Sequence, residues 1–169
     1  MKQFRLLLFG LPIVLLAGCE GYGDGDNVVL TDLPPQQYEP ITMDRNEFEA
    51  AVQMMPAQAI VKAGKIYIKD GYLFVNDVHK GFHIYDYSNP VDPVPLGFIN
   101  VPGATDLAVR DNIVYINQAT DLVTMQFDTG ANAMTLLNRN ENVFPSMTSP
   151  DGSTENVAND EVIIGWELI

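Results

Sequence analysis

Ile66-Tyr67-Ile68-Lys69-Asp70-Gly71-Tyr72-Leu73-Phe74-Val75-Asn76 returns as Leu107-Ala108-Val109-Arg110-Asp111-Asn112-Ile113-Val114-Tyr115-Ile116-Asn117, at a constant offset of 41 residues. Each copy reads as an alternating strand, a two-residue turn, a mostly apolar strand and a closing Asn. Asp-Gly between apolar runs is a strong hairpin signal, because glycine accepts positive φ at no steric cost. After Asn117 the match slips by one residue and places Leu122-Val123 under Phe82-His83. A period of about 40–45 residues with four short strands per unit is the signature of a β-propeller blade.

Outward from this repeat the chain continues as short strands between turn signals. Phe82 to Tyr87 is ended by Ser88-Asn89-Pro90, and Leu96 to Val101 by Pro102-Gly103. Leu122 to Phe127 and Met134 to Leu137 follow. A last strand, Val162 to Ile169, places Val162, Ile164, Trp166 and Leu168 on one face. Before the repeat, Thr42 to Met55 is expected to form a helix. Asp44 is its N-cap, Glu47 completes a capping-box-like pair, and Met43 and Phe48 fill the staple positions. Phe48, Ala51, Val52 and Met55 make its apolar face, and Pro56 stops it.

Tyr72-Leu73-Phe74-Val75-Asn76-Asp77, then Gly81-Phe82-His83-Ile84-Tyr85-Asp86-Tyr87-Ser88-Asn89-Pro90, resembles the LVIVD repeat of bacterial surface β-propeller proteins. Pro93-Val94-Pro95-Leu96-Gly97-Phe98 and Val101-Pro102-Gly103 fit the third strand of such a repeat and its exit. The second copy departs from the pattern: Gln126 stands where the first has Asp86, and Thr129-Gly130 replaces the Ser-Asn-Pro turn. The resemblance runs from Gly64 to Asp128. It implies a propeller-type fold and a cell-surface setting, and it carries no catalytic residues. The expected class is therefore all-β: antiparallel sheets of propeller-blade type in an open or partial propeller, with one short N-terminal helix. Gly64 to Ile169 holds only two to three such units, whereas a closed propeller takes about 4 to 8. Three outcomes remain: an open partial propeller, self-association of open blades, or a shortened relative of longer proteins. The helix and the loop from Asn138 to Asp160 are candidates for covering exposed edges.

Met1-Lys2-Gln3-Phe4-Arg5 is a short basic start, and Leu6 to Leu16 is an apolar run interrupted by Gly10 and Pro12. This pattern describes a secretory signal peptide. A run of about a dozen residues is shorter than the roughly 20 that span a bilayer. Leu16-Ala17-Gly18-Cys19 also resembles the lipobox of bacterial lipoproteins, with the single cysteine of the chain as its final residue. That resemblance implies cleavage before Cys19, lipidation of its sulfur and acylation of the new amine. Two or three acyl chains hold a protein far more firmly than one. The expected organisation is a signal peptide over 1–18, a lipidated flexible tether over 19–41, a short helix and connector over 42–63, and the β-repeat domain over 64–169. Loss of Lys2 and Arg5 with the signal would take the net charge from −13 to −15.

That acidity, 22 acids against 9 bases, argues against nucleic acid as a partner, since phosphate binding needs clustered Lys and Arg. One cysteine excludes an internal disulfide. His79 and His83 lie four apart, but Gly81 interrupts any helix between them and no further Cys or His cluster completes a zinc site. Asp70, Asp77, Asp86 and Asp92 recur around the first unit, and most lie in or beside turns, where Asp bonds its own backbone. Asp24 and Asp26 lack the later Gly and Glu of a calcium loop. Ser146, Ser149 and Ser153 fall in a polar stretch that reads as a mobile loop. Tyr67, Tyr72, Tyr85, Tyr87, Tyr115 and Trp166 could stack on sugars, although aromatic residues in strands more often pack in cores. No catalytic, cofactor-binding or metal residue is assigned, no cofactor is expected, and Cys19 is the one modified site. The function expected is that of a lipid-anchored protein of the bacterial cell envelope, at the outer membrane or cell surface. It binds or scaffolds an unidentified protein or glycan. The alternative is a glycan-active or metal-dependent hydrolase on a propeller-like scaffold.

Overall fold

The computed structural model describes residues 36–169. The expected signal segment 1–18, Cys19 and most of the expected tether lie outside the described residues. Eleven strands and one helix follow in the order β1 (Tyr38–Asp44), α1 (Arg45–Ala50), β2 (Gln53–Met55), β3 (Ala63–Lys69), β4 (Tyr72–Asp77), β5 (Gly81–Asp86), β6 (Val94–Asn100), β7 (Ala104–Arg110), β8 (Ile113–Gln118), β9 (Asp121–Asp128), β10 (Ala133–Asn140) and β11 (Glu161–Leu168). β3 to β6 form one antiparallel meander and β7 to β10 a second. The two repeat units are therefore two blades, open rather than closed.

Each blade starts with a hairpin whose turn the sequence marks. Asp70 and Gly71 take φ of 51° and 81°, and Asp111 takes φ of 54°. The β4–β5 hairpin spends three residues where the β8–β9 hairpin spends two, which is the one-residue slip after Asn117. Gly81 opens β5 at φ 148°, and a Cβ there would sit 1.9 Å from the Ile99 carbonyl oxygen. No other residue fits this approach of β5 to β6.

Strand side chains alternate between faces, and the two blades stack through unlike faces. Phe74, Phe82 and Ile84 of the first blade join Leu107, Val114, Ile116, Val123, Met125 and Phe127 of the second in one buried cluster. Tyr72 meets Phe127 edge-on, with ring centroids 4.9 Å apart. The opposite face of the first blade carries Ile66, Ile68, Leu73, Val75, Asp77, His83 and Tyr85. The opposite face of the second carries Ala108, Tyr115, Asn117, Leu122 and Thr124.

Three segments depart from the sequence expectation. The helix ends at Ala50, its last bond running from the Ala51 amide to the Glu47 carbonyl at 2.9 Å. Gln53–Met55 instead pair with Phe98–Asn100 and extend the first sheet to the order β2-β6-β5-β4-β3. Sheet hydrogen bonds thus outweigh the helical spacing of Val52 and Met55, and this strand covers the β6 edge. Asp44 is the N-cap as expected, accepting from the Asn46 and Glu47 amides at 2.8 and 3.2 Å.

The tether does not reach residue 41, because Tyr38–Asp44 is a strand paired antiparallel with β11. The terminal strand does pair, though with β1 in a separate ribbon and not with a blade edge. Its single-face alternation is broken by a bulge: Ile41 pairs with Gly165 and Thr42 with Ile163, skipping Ile164. Val162 and Ile163 are buried, Trp166 is half-buried and Leu168 is exposed. The ribbon, Phe48 and Ala119 form a second, smaller core.

Candidate functional site

Four features carry the polar chemistry and the uncovered surface of the domain. The first is a strap. β2 and β3 lie at opposite edges of one sheet, so residues 56–62 must cross a face of it. They cross the face turned away from the second blade, where Asp77 receives them. Its carboxylate accepts from the Val61 amide at 2.8 Å and the Lys62 amide at 3.0 Å, and His83 Nε2 lies 3.2 Å away. Asp77 and His83 are buried. Burial by itself would push the Asp77 carboxyl up. The two amides, then His83 and Lys80, outweigh it and hold the pKa below the ordinary aspartate value. His83 also packs against Phe98, centroids 4.7 Å apart.

The second is a buried ion cluster at the end of the second blade. Asp121, fully buried, accepts from Arg45 at 2.6 and 3.2 Å, from Arg139 at 2.7 Å, from the Thr120 hydroxyl at 3.1 Å and from the Asn142 amide at 3.2 Å. Both guanidiniums lie over the Phe48 ring, 5.4 and 5.3 Å from its centroid. The Gln118 amide donates to the Phe48 carbonyl at 3.1 Å. Burial pushes Asp121 up, but the two arginines and the Asn142 amide prevail and its pKa is lowered. The cluster clamps α1 onto β8, β9 and β10. Its members lie far apart in the chain, so nothing in local sequence pattern announces it.

The remaining residues singled out in the sequence do not converge. Asp70 sits in the β3–β4 turn, and Asp86 accepts from the Ser88 amide at 2.9 Å. The Asp92 amide donates to the Asn89 carbonyl at 3.1 Å. Among the described residues, no group of three or more His, Cys, Asp or Glu gathers to hold a metal ion. His79 takes φ of 61°, and its buried Nδ1 has no hydrogen-bond partner among the described residues. Burial, and secondarily Lys62, pushes its pKa down. The serine-rich stretch is an ordered turn built on Asp151. Its carboxylate accepts from the Ser149 hydroxyl at 2.7 Å and the Gln37 and Ser153 amides at 2.9 Å. Tyr67 leans on Phe74, and Trp166 Nε1 donates to the Met147 carbonyl at 3.2 Å.

The third and fourth features are the outward blade faces. On the first blade Ile66 and Ile68 are 64% and 53% exposed, and Val61 of the strap is 72% exposed. On the second blade, Ala108, Tyr115, Asn117, Leu122 and Phe144 line a shallow, mainly apolar groove of about 340 Å³. Exposed apolar side chains grouped on one face mark contact surfaces more often than singly scattered ones do.

Compared with known proteins, residues 62–100 match the sequence model of the LVIVD repeat. No curated protein and no solved structure gives a match. The matched residues run from the end of the strap through β6 and so coincide with the first blade, while the second lies outside the match. The chain carries an LVIVD repeat, and that repeat is the first of its two propeller-type blades.

Proposed function

We propose that this protein is a lipid-anchored component of the bacterial cell envelope whose two-blade module binds or scaffolds a macromolecule outside the cytoplasm. One observation carries the anchoring: the single cysteine of the chain stands at the end of Leu16-Ala17-Gly18-Cys19, directly after a basic start and an apolar run. Two or three acyl chains on one residue give stable membrane anchoring, where a single chain binds only marginally. Binding is favoured over catalysis by what the buried carboxylates do. Asp77 is engaged by backbone amides and Asp121 by two arginines, so both are committed to holding segments in place.

The test is metabolic labelling with an alkyne fatty acid, followed by fractionation of cells making the full chain or its Cys19→Ala variant. The wild type carries the label and sediments with membranes, and the variant loses both properties. A variant that keeps label and membrane association would refute the anchor.

A further inference from the structure

We infer that copies of this chain stack head to tail, the outward face of the first blade of one copy seating on the outward face of the second blade of the next. The inference needs the two-blade fold but not the lipid anchor.

The two blades are repeat equivalents, position for position, at an offset of 41 residues through their first hairpins. Ile66 and Ile68 hold the repeat positions of Leu107 and Val109. Leu107 is 7% exposed and Val109 packs against the central core, because the first blade lies over them. Ile66 and Ile68 face outward with nothing over them among the described residues. The complementary surface follows by the same rule. Leu107 and Val109 lie in the core with Tyr67, Phe74 and Phe82 of the first blade. The equivalents of these three on the second blade are Ala108, Tyr115 and Leu122, which line the apolar groove. The domain thus carries both halves of an interface it already builds once internally: a ridge with two exposed isoleucines, and a groove in the position that receives such a ridge.

Two polar details agree with this seating. Lys65 of β3 pairs with Asp106 of β7, and these residues too are repeat equivalents. Seating a second copy brings its Lys65 next to Asp106 of the first, so lysine and aspartate alternate along the stack. Asn76 donates across the internal interface to the Ala104 carbonyl at 3.4 Å. Its equivalent Asn117 lies in the groove, and its buried Oδ1 has no partner among the described residues. On the first blade Val75, Asp77 and His83 of β4 and β5 are covered while Ile66 and Ile68 of β3 stay open; on the second, Phe144 bonds back to Thr120 at the β8–β9 hairpin and Ala108 stays exposed. Because the contact joins unlike faces, it closes into a ring if the rotation allows and otherwise continues as a filament. Closed propellers of about 4 to 8 blades correspond to two to four copies.

The test is the mass of the full chain, purified in non-ionic detergent, by sedimentation equilibrium over a wide concentration range. Two variants at exposed positions separate the faces: Ile68→Asp blocks the ridge and Ala108→Arg blocks the groove. Thermal midpoints near wild type show that both variants fold. The wild type should form assemblies of two or more copies, and each variant alone should be a monomer. An equal mixture of the two should give one-to-one dimers, because the intact ridge of one finds the intact groove of the other. A wild type that stays monomeric overturns the inference, as it would if the ridge rested on lipid or on a different protein. Variants that still assemble alone, or that fail to pair when mixed, also overturn it. Loss of the fatty-acid label bears on the anchor alone, so the two readings fail separately.

Discussion

Lys65 and Asp106 occupy the same place in successive repeats and form an ion pair between the first strands of the two blades. Their side chains are 66% and 56% exposed, and exposed pairs contribute about 0–1 kcal/mol. The pair therefore marks the register of one blade on the other more than it stabilises the stack. Lys65→Ala should lower the unfolding free energy by under about 1 kcal/mol in urea titration. A loss of several kcal/mol would mean that the pair holds the blades together.

Neighbouring residues of β4 should respond differently to truncation. Phe74 is 1% exposed and points into the inter-blade core, whereas Leu73 is half-buried on the outward face. Phe74→Ala is expected to cost about 3–5 kcal/mol and Leu73→Ala distinctly less. Thermal or denaturant unfolding of both variants checks the ordering, and equal losses would place the wrong residue inside.

Asp121→Asn removes the charge that two arginines share. Leaving buried ion partners uncompensated typically costs about 3–5 kcal/mol. The same site governs acid sensitivity. The folded pKa of Asp121 lies below its unfolded value, so on acidification the unfolded chain takes up the proton first. The stability it contributes is present above pH of about 4 and is lost as pH falls through the lowered folded value. Asp77 acts in the same window and with the same sign. His79, whose folded pKa is also lowered, starts a loss at higher pH, below about 6.5. Unfolding free energy followed from pH 7 to 3 should therefore fall throughout, and Asp121→Asn should flatten the part below pH 4. An unchanged acid limb in that variant would show that the carboxylate is not ionised in the fold.

The strap should depend on one side chain. In Asp77→Asn the acceptor of the Val61 and Lys62 amides loses its charge, and hydrogen bonds to charged groups contribute about 1.5–3 kcal/mol. Amide exchange at Val61 and Lys62 should accelerate about tenfold or more, while core amides of β8 and β9 change less. Uniform acceleration would mean that the strap opens only with global unfolding.

The sequence made the blades legible because two devices act locally: alternation within a strand, and Asp-Gly or Asp-Asn at the turn. Both recur after 41 residues, so the register of β3, β4, β7 and β8 followed directly. Alternation says which side chains share a face, not what covers that face. Ile66 and Leu107 look alike in sequence and differ in exposure only because one blade has a neighbour there. Tyr38–Ile41 read as tether and Thr42–Asp44 as the start of the helix, because their partner strand lies more than a hundred residues away and Pro40 sits among them. Gln53–Met55 read as helix because three residues are too few to show a period of two. The Asp121 cluster draws Arg45, Asp121 and Arg139 from three separate elements, and its members meet only once the fold exists.

The two blades pack face to face through one buried cluster, and a double-mutant cycle across that interface tests the packing most directly. Tyr72 on β4 and Phe127 on β9 belong to different blades and touch edge-on at 4.9 Å. Unfolding free energies of wild type, Tyr72→Ala, Phe127→Ala and the double variant should give a favourable coupling of about 0.5–1.5 kcal/mol. Strict additivity of the two losses would contradict the stacking of the blades and, with it, the equivalence of the inner and outer faces.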